Sequence, residues 1–147
     1  MRRILPPTLL LLCLAAMLLL RWLWPLATLI SPPFNGLGLA PLLLGLWLSG
    51  AASRHFGAVQ TNINTFDEPG QLVTTGLFRY SRNPMYLGFV LIALGGGLLL
   101  GSLSPLLLAV AFAILTDRWY IAYEEQAMRV KFGTAYEAYA RQVRRWL

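Results

Sequence analysis

The stretch Pro84 to Tyr123, PMYLGFVLIALGGGLLLGSLSPLLLAVAFAILTDRWYIAY, carries no charged residue before Asp117 and Arg118. Gly101, Ser102 and Ser104 interrupt it and divide it into two apolar runs, Pro84 to Gly101 and Pro105 to Tyr123. As helices rising 1.5 Å per residue these are about 27 and 28 Å long, close to the roughly 30 Å of a bilayer's hydrocarbon core. The pattern predicts a helical hairpin that crosses a membrane twice and returns to the side it left. Gly97 and Gly101 stand in G-x-x-x-G spacing, which lets helix backbones approach closely and is read as packing within the chain.

Towards the N-terminus, Leu37 to Ser53 forms another apolar span, preceded by the breaker residues Ser31, Pro32, Pro33, Asn35 and Gly36. Ile4 to Leu20, behind Arg2 and Arg3, reads as a first span rather than a signal peptide, because apolar sequence continues past Arg21 through Trp22, Trp24 and Ile30. Arg21, followed by Trp22 and Trp24, suits a membrane interface. Of 147 residues, 57% are hydrophobic and 12% charged, about half the charge usual in soluble domains. The expectation is an all-α integral membrane protein of about four transmembrane helices. Residues 1–147 are read as a single domain, with 1–70 supplying the N-terminal spans and 71–147 the chemically distinctive half.

All 12 Lys and Arg residues except Arg21 fall on one side if both termini and the loop Arg54 to Asn83 lie together, and the positive-inside rule makes that side cytoplasmic. The net charge of +6 sits beside the spans, so anionic lipid headgroups, not nucleic acid, are the expected electrostatic partner. With one cysteine, Cys13, and one histidine, His55, a structural zinc site and an internal disulfide are both excluded, and no metal is expected. The polar loop contains Asn62, Asn64, Asp67, Glu68, Pro69 and Gly70 but also Leu72, Val73, Phe78 and Tyr80, and is read as ordered against the membrane face. Beyond the last span, Gly133 breaks the helix and Thr134-Ala135-Tyr136-Glu137 forms a capping box. The next helix places Tyr136, Tyr139, Ala140 and Val143 on one face, with Arg141, Arg144 and Arg145 free to meet headgroups, as in a helix lying on the membrane surface.

Two features carry chemistry. In R-N-P-M-Y-L-G, Arg82 to Gly88, Asn83 suits a helix cap and Pro84 the first helical position. Glu124 and Glu125 close the last span, and the hairpin returns them beside that motif. Locally, Glu125 has Arg129 as an i, i+4 partner, worth only a few tenths of a kcal/mol, whereas Glu124 has no basic residue at that spacing.

From Gln71 onward the chain resembles the membrane-embedded methyltransferases that include isoprenylcysteine carboxyl methyltransferase and phosphatidylethanolamine N-methyltransferase. The resemblance rests on L-V-T-T-G-L-F-R-Y-S-R-N-P-M-Y-L-G, the hairpin, Glu124-Glu125, F-G-T-A-Y-E-A-Y from Phe132 to Tyr139, and the basic V-R-R-W-L, in that order. It implies that S-adenosylmethionine is held by Gly70, Gln71, Leu72, Val73, Phe78, Asn83, Pro84, Met85, Tyr86 and Glu124. Aromatic rings at Phe78 and Tyr86 suit the adenine or the sulfonium, and the helix N-terminus near Met85 suits a carboxylate. The prenylcysteine branch commonly has His where Asn83 stands and Arg where Tyr120 stands, which weighs against a carboxylate acceptor. Residues 1–70 match only as apolar spans.

The activity implied is methyl transfer by in-line displacement to a membrane-soluble acceptor, a lipid amine, carboxylate or related group. For an amine, Glu125 is the expected base; for a carboxylate, Arg118 is the expected orienting cation. The competing class is a non-enzymatic transporter or assembly subunit, which would more often carry ionisable groups deep within its spans.

Overall fold

The computed structural model describes residues 4–58 and 70–147. The polar residues Asn62, Asn64, Asp67, Glu68 and Pro69 lie outside the described residues, as do Arg2 and Arg3. Five α-helices follow one another: α1 (Pro6–Leu23), α2 (Leu39–Ala58), α3 (Pro84–Leu100), α4 (Leu103–Leu115) and α5 (Ala122–Gln142). Short 3-10 turns at Phe34–Gly38 and Gly76–Arg79 lead into α2 and α3, and a π-helical segment, Thr116–Ile121, joins α4 to α5. There is no β-strand among the described residues, only an isolated bridge between Thr28 and Ser102. Three helical stretches, Pro6–Leu23, Phe34–Ala58 and Leu103–Gln142, are long and apolar enough to cross a membrane, and Pro84–Leu100 is a shorter apolar helix. The molecule is thus the all-α integral membrane fold that its composition predicts.

The helix boundaries differ from the sequence reading in two places. The last span begins at Leu103 and does not end at Tyr123, because the π segment carries the helical path without interruption into α5, giving 40 residues from Leu103 to Gln142. The expected break at Gly133 is a kink: its backbone, at φ 50° and ψ −124°, leaves helical geometry within α5. Glycine alone adopts such angles without a steric penalty.

Helix α3 occupies the centre. One face meets α1 and α4 in a core of Leu10, Met17, Tyr86, Phe89, Ile92, Ala93, Ala109, Phe112, Tyr120 and Ile121. The other face lies directly on α2. A Cβ placed on Gly38 would stand 2.6 Å from the Gly95 carbonyl oxygen, and one on Gly88 would stand 2.7 Å from that of Gly45. Real side chains do not fit at such distances, so the two backbones touch. The close approach runs through these four glycines and not through Gly97 and Gly101: Gly97 faces Leu106, while Gly101, at φ 67°, ends α3 in the left-handed conformation. The outward surfaces of α1, α2 and α4 present Leu11, Leu18, Leu19, Leu43, Trp47, Val110 and Ile114, as expected where lipid is the solvent.

The turn of the hairpin is fastened to the segment after α1. The Gly101 carbonyl accepts from the N–H groups of Leu29 (2.8 Å) and Ile30 (3.1 Å), Leu103 N–H donates to Ala27 (2.9 Å), and Ser104 Oγ donates to Trp24 (2.7 Å). Asn35 Nδ2 adds a bond to the Leu99 carbonyl at 2.9 Å. These bonds satisfy backbone groups left open at the helix ends, and they hold Arg21 and its tryptophans at the end of the bundle opposite the start of α3.

Replacing Gly88 or Gly95 by Leu forces α2 and α3 apart. Each variant is expected to lose about 2 kcal/mol or more, at the upper end of the roughly 1–3 kcal/mol usual for overpacking, read as the unfolding midpoint in detergent. Gly36→Ala, at a glycine with open space around it, is expected to leave the midpoint unchanged.

Candidate active site

The start of α3 is set by Pro84, whose missing N–H costs nothing in a first turn, and the helical ladder begins with Leu87 N–H donating to the Asn83 carbonyl at 3.0 Å. Asn83 occupies the cap position, but its side chain makes no capping bond. It donates instead through Nδ2 to the Arg145 carbonyl at 3.1 Å. The capping role expected of it is therefore corrected: a partner far along the chain takes the amide. Ser81 Oγ accepts from Asn83 N–H at 3.1 Å, which fixes the turn before the helix.

Tyr86, 6% exposed, reaches across the hairpin and donates its hydroxyl to Glu124 Oε1 at 2.6 Å. The motif and the acidic pair are thus neighbours. Between them opens a cleft of about 590 Å³, counted out to solvent, lined by Phe56, Phe78, Arg82, Asn83, Pro84, Met85, Tyr86, Phe89 and Glu124, with Leu5, Pro6 and Pro7 at the start of α1 forming one wall. A mostly apolar lining with a few polar groups is the usual character of small-molecule sites. Phe78 is buried against Val73 and Ala52 and packs on Phe56 with ring centroids 4.8 Å apart. Its carbonyl accepts from the Tyr139 hydroxyl at 2.6 Å, so α5 holds this wall in place. His55 bonds Thr75 at 3.1 Å behind the same ring.

Of the residues expected to hold a cofactor, Phe78, Asn83, Pro84, Met85, Tyr86 and Glu124 line the cleft together. Gly70, Gln71, Leu72 and Val73 do not. Gly70 and Gln71 are exposed, Leu72 is half-buried, and Val73 serves the packing behind Phe78. Glu125 is buried and lies outside the cleft lining. Its partners are not Arg129 but Arg145, which grips it through Nε at 3.2 Å and Nη2 at 2.7 Å, and Arg82, whose Nη1 lies 3.2 Å away. Both of its oxygens are taken by guanidinium groups and the residue is not part of the cleft lining, so the arrangement argues against the basic role expected of Glu125. Arg118 is 83% exposed, touches Asp117 at 3.6 Å and is not part of the cleft.

Sequence reasoning did not single out Arg82 as a site residue, although it opens the R-N-P-M-Y motif. The residue lines the cleft, and its guanidinium bonds the Tyr136 hydroxyl at 3.1 Å and is mostly buried, with no partner for Nε among the described residues. Leu5, Pro6, Pro7 and Phe56, from the half that matches only as spans, were likewise unforeseen. Tyr136 and Tyr139, placed together on one helix face by their spacing, are buried on Arg82 and Phe78 and not on lipid. Tyr120, where an arginine is common in one branch, donates its hydroxyl to the Ile4 carbonyl at 2.8 Å and fastens the start of α1 to the π segment. Asp117 accepts from Arg145 Nη1 at 3.1 Å and from Trp146 Nε1 at 2.9 Å. Hydrogen bonds that Arg145 donates to Glu125, opposed by burial and joined by those to Asp117, hold its guanidinium above its ordinary pKa, so it is charged at any working pH.

A family model described as phospholipid methyltransferase matches residues 34–135. Protein-S-isoprenylcysteine O-methyltransferase B of Arabidopsis thaliana is 32% identical over 114 residues, 74% of this chain and 56% of that protein. The corresponding Schizosaccharomyces pombe protein is 33% identical over 107 residues, 69% of this chain and 44% of its own length. An uncharacterized protein of Haemophilus influenzae is 40% identical over 63 residues, its whole length and 43% of this chain. No solved structure matches the chain. With its cleft at the start of α3 and a family match across most of its length, the chain belongs to the phospholipid methyltransferase family. It aligns with about half the length of the isoprenylcysteine methyltransferases it resembles.

Glu125→Ala leaves Arg82 and Arg145 facing each other without their shared anion. A loss of about 3 kcal/mol is expected, as for broken buried ion pairs, measured by chemical unfolding in detergent. Arg118→Ala removes an exposed pair and is expected to change stability by less than about 0.5 kcal/mol.

Proposed function

We propose that this protein transfers a methyl group from S-adenosylmethionine to an acceptor dissolved in the membrane. The observation that carries this reading is the cleft uniting Asn83, Met85 and Tyr86 with Glu124, closed by the 2.6 Å bond from Tyr86 to Glu124. The family of the chain and the names of its relatives support the same activity. The residues present fit such a donor. Aromatic walls at Phe78 and Tyr86 suit a flat purine or a sulfonium, the Glu124 carboxylate suits an ammonium or a ribose diol, and the N-terminal turn of α3 suits a carboxylate. Bound there, S-adenosylmethionine supplies a methyl group already activated on positive sulfur.

The protein's own contribution is position and dryness. Pro6, Pro7, Phe56 and Phe89 shield the cleft from water, while Tyr86 and Glu124 fix one end of the donor. Holding two reactants in line is worth on the order of 7–11 kcal/mol against the bimolecular barrier. Arg82, which lines the same cleft, replaces Arg118 as the orienting cation; a half-engaged guanidinium suits an acceptor bearing an anionic oxygen, whether carboxylate or phosphate. The acceptor arrives from the lipid beside the start of α1. By the positive-inside rule the cleft and both ends of the chain lie in the cytoplasm.

Calorimetry with S-adenosylmethionine and its demethylated product tests the reading on detergent-purified protein. Both ligands are expected to bind, and Tyr86→Ala and Glu124→Ala are each expected to abolish binding. Absence of binding to the unaltered protein would return the chain to the class of transporters and assembly subunits. Tritium from a methyl-labelled donor, followed into extracted membrane lipids, identifies the acceptor, and Arg82→Lys is expected to lower turnover at least about tenfold because a single ammonium cannot reproduce the fork of an arginine.

A further inference from the structure

The segment after α5 turns away from the helix at Val143 and runs back across the base of α3. Two successive carbonyls there receive the motif: Arg82 N–H donates to Arg144 at 3.0 Å, and Asn83 Nδ2 donates to Arg145 at 3.1 Å. Ser81 Oγ adds a longer bond to the Arg145 carbonyl at 3.4 Å. The side chain of the same residue faces the other way along the hairpin. Its Nε and Nη2 take both oxygens of Glu125 at 3.2 and 2.7 Å, and its Nη1 spans the two oxygens of Asp117 at 3.1 and 3.2 Å. Trp146 reinforces the Asp117 end at 2.9 Å.

One residue therefore joins three segments that are distant in sequence: the turn before α3, the π segment, and the first turn of α5. Two of the three carry cleft residues. Asn83 is held directly, and Glu124 is held through its neighbour Glu125, since the two stand side by side in the first turn of α5 and Arg145 ties that turn down. We infer that Arg145 is a positioning residue for the methyl donor, setting the separation between Asn83 and Glu124 without itself touching the donor. The inference rests on the methyltransferase reading of the cleft.

The grip depends on geometry as well as charge. A planar fork serves two carboxylates at once; an ammonium of similar reach serves one. Arg145→Ala and Arg145→Lys are therefore both expected to weaken S-adenosylmethionine binding about tenfold or more, the scale of a lost charge-assisted bond, and to raise the donor KM by a similar factor. The acceptor KM and the kcat at saturating donor are expected to stay within about twofold of the unaltered protein, a split that general loss of folded protein does not produce. Arg141→Ala removes an exposed cation from the same helix end and is expected to leave donor affinity unchanged. Donor affinity fully restored in Arg145→Lys would overturn the inference, since charge alone would then suffice. Equal falls in kcat and donor affinity would overturn it as well. If Arg145→Ala does not fold, Arg145→Lys and Glu125→Gln decide it, both expected to show the donor-specific weakening, and unchanged donor binding in both would overturn it. Failure of the unaltered protein to bind the donor is a different result and tells against the methyltransferase reading itself.

Discussion

Helices in hydrocarbon gain nothing by hiding leucines from one another, because lipid tails are as apolar as leucine; what holds them is close contact between backbones. In this chain that contact is the meeting of Gly38 and Gly45 with Gly88 and Gly95. It fixes α3 against α2 with no side chain between them, leaving the opposite face of α3 to receive α1 and α4. Tyr86 lies on that received face and is buried within it. The start of α3 is thus held steady before any polar group is considered, and the cleft is built at that start.

Polar ties then act where the bundle meets the interface. They concentrate at its two ends and have different purposes. At the hairpin turn they answer backbone groups, with Gly101 accepting twice and Asn35, Ser104 and Leu103 each donating once. At the cleft end they connect charged side chains, with Glu125 between Arg82 and Arg145 and Asp117 beside them. Buried charges of this kind are costly unless each is paired, and a network that satisfies them allows few alternative arrangements. A fold with loose lipid-facing walls thus contains one rigid corner.

The hairpin and the meeting of Asn83 to Tyr86 with Glu124 could be read from the sequence, because two apolar runs of similar length joined by a tight turn have little choice about where their ends lie. The choice of helix partner could not. Glycines occur at similar spacing within α3 and at its end, and nothing in G-x-x-x-G at Gly97 and Gly101 says that Gly88 and Gly95 are the ones that touch. Asn83 illustrates a second limit: its type and place describe a cap, yet an acceptor carbonyl 62 residues away takes its amide. Glu125 shows the same effect, since Arg129 lies one turn along but Arg145, brought back by the kinked α5, offers a better fork. In the Gly70 to Val73 stretch, which belongs to the family likeness, Val73 packs behind Phe78, the ring that forms one wall of the cleft.

The π-helical segment Thr116–Ile121 lies just before the acidic pair. A wide turn of this type accommodates one residue more than an α-helical turn over the same rise, and one residue is worth about 100° of rotation in the helix beyond it. The face that Glu124 shows to Tyr86, and the face that Glu125 shows to the guanidiniums, are thus matters of phase along one long rod. Two adjacent carboxylates are chemically almost alike, and here a local change in helical pitch decides which of them meets the cleft and which is locked into the scaffold.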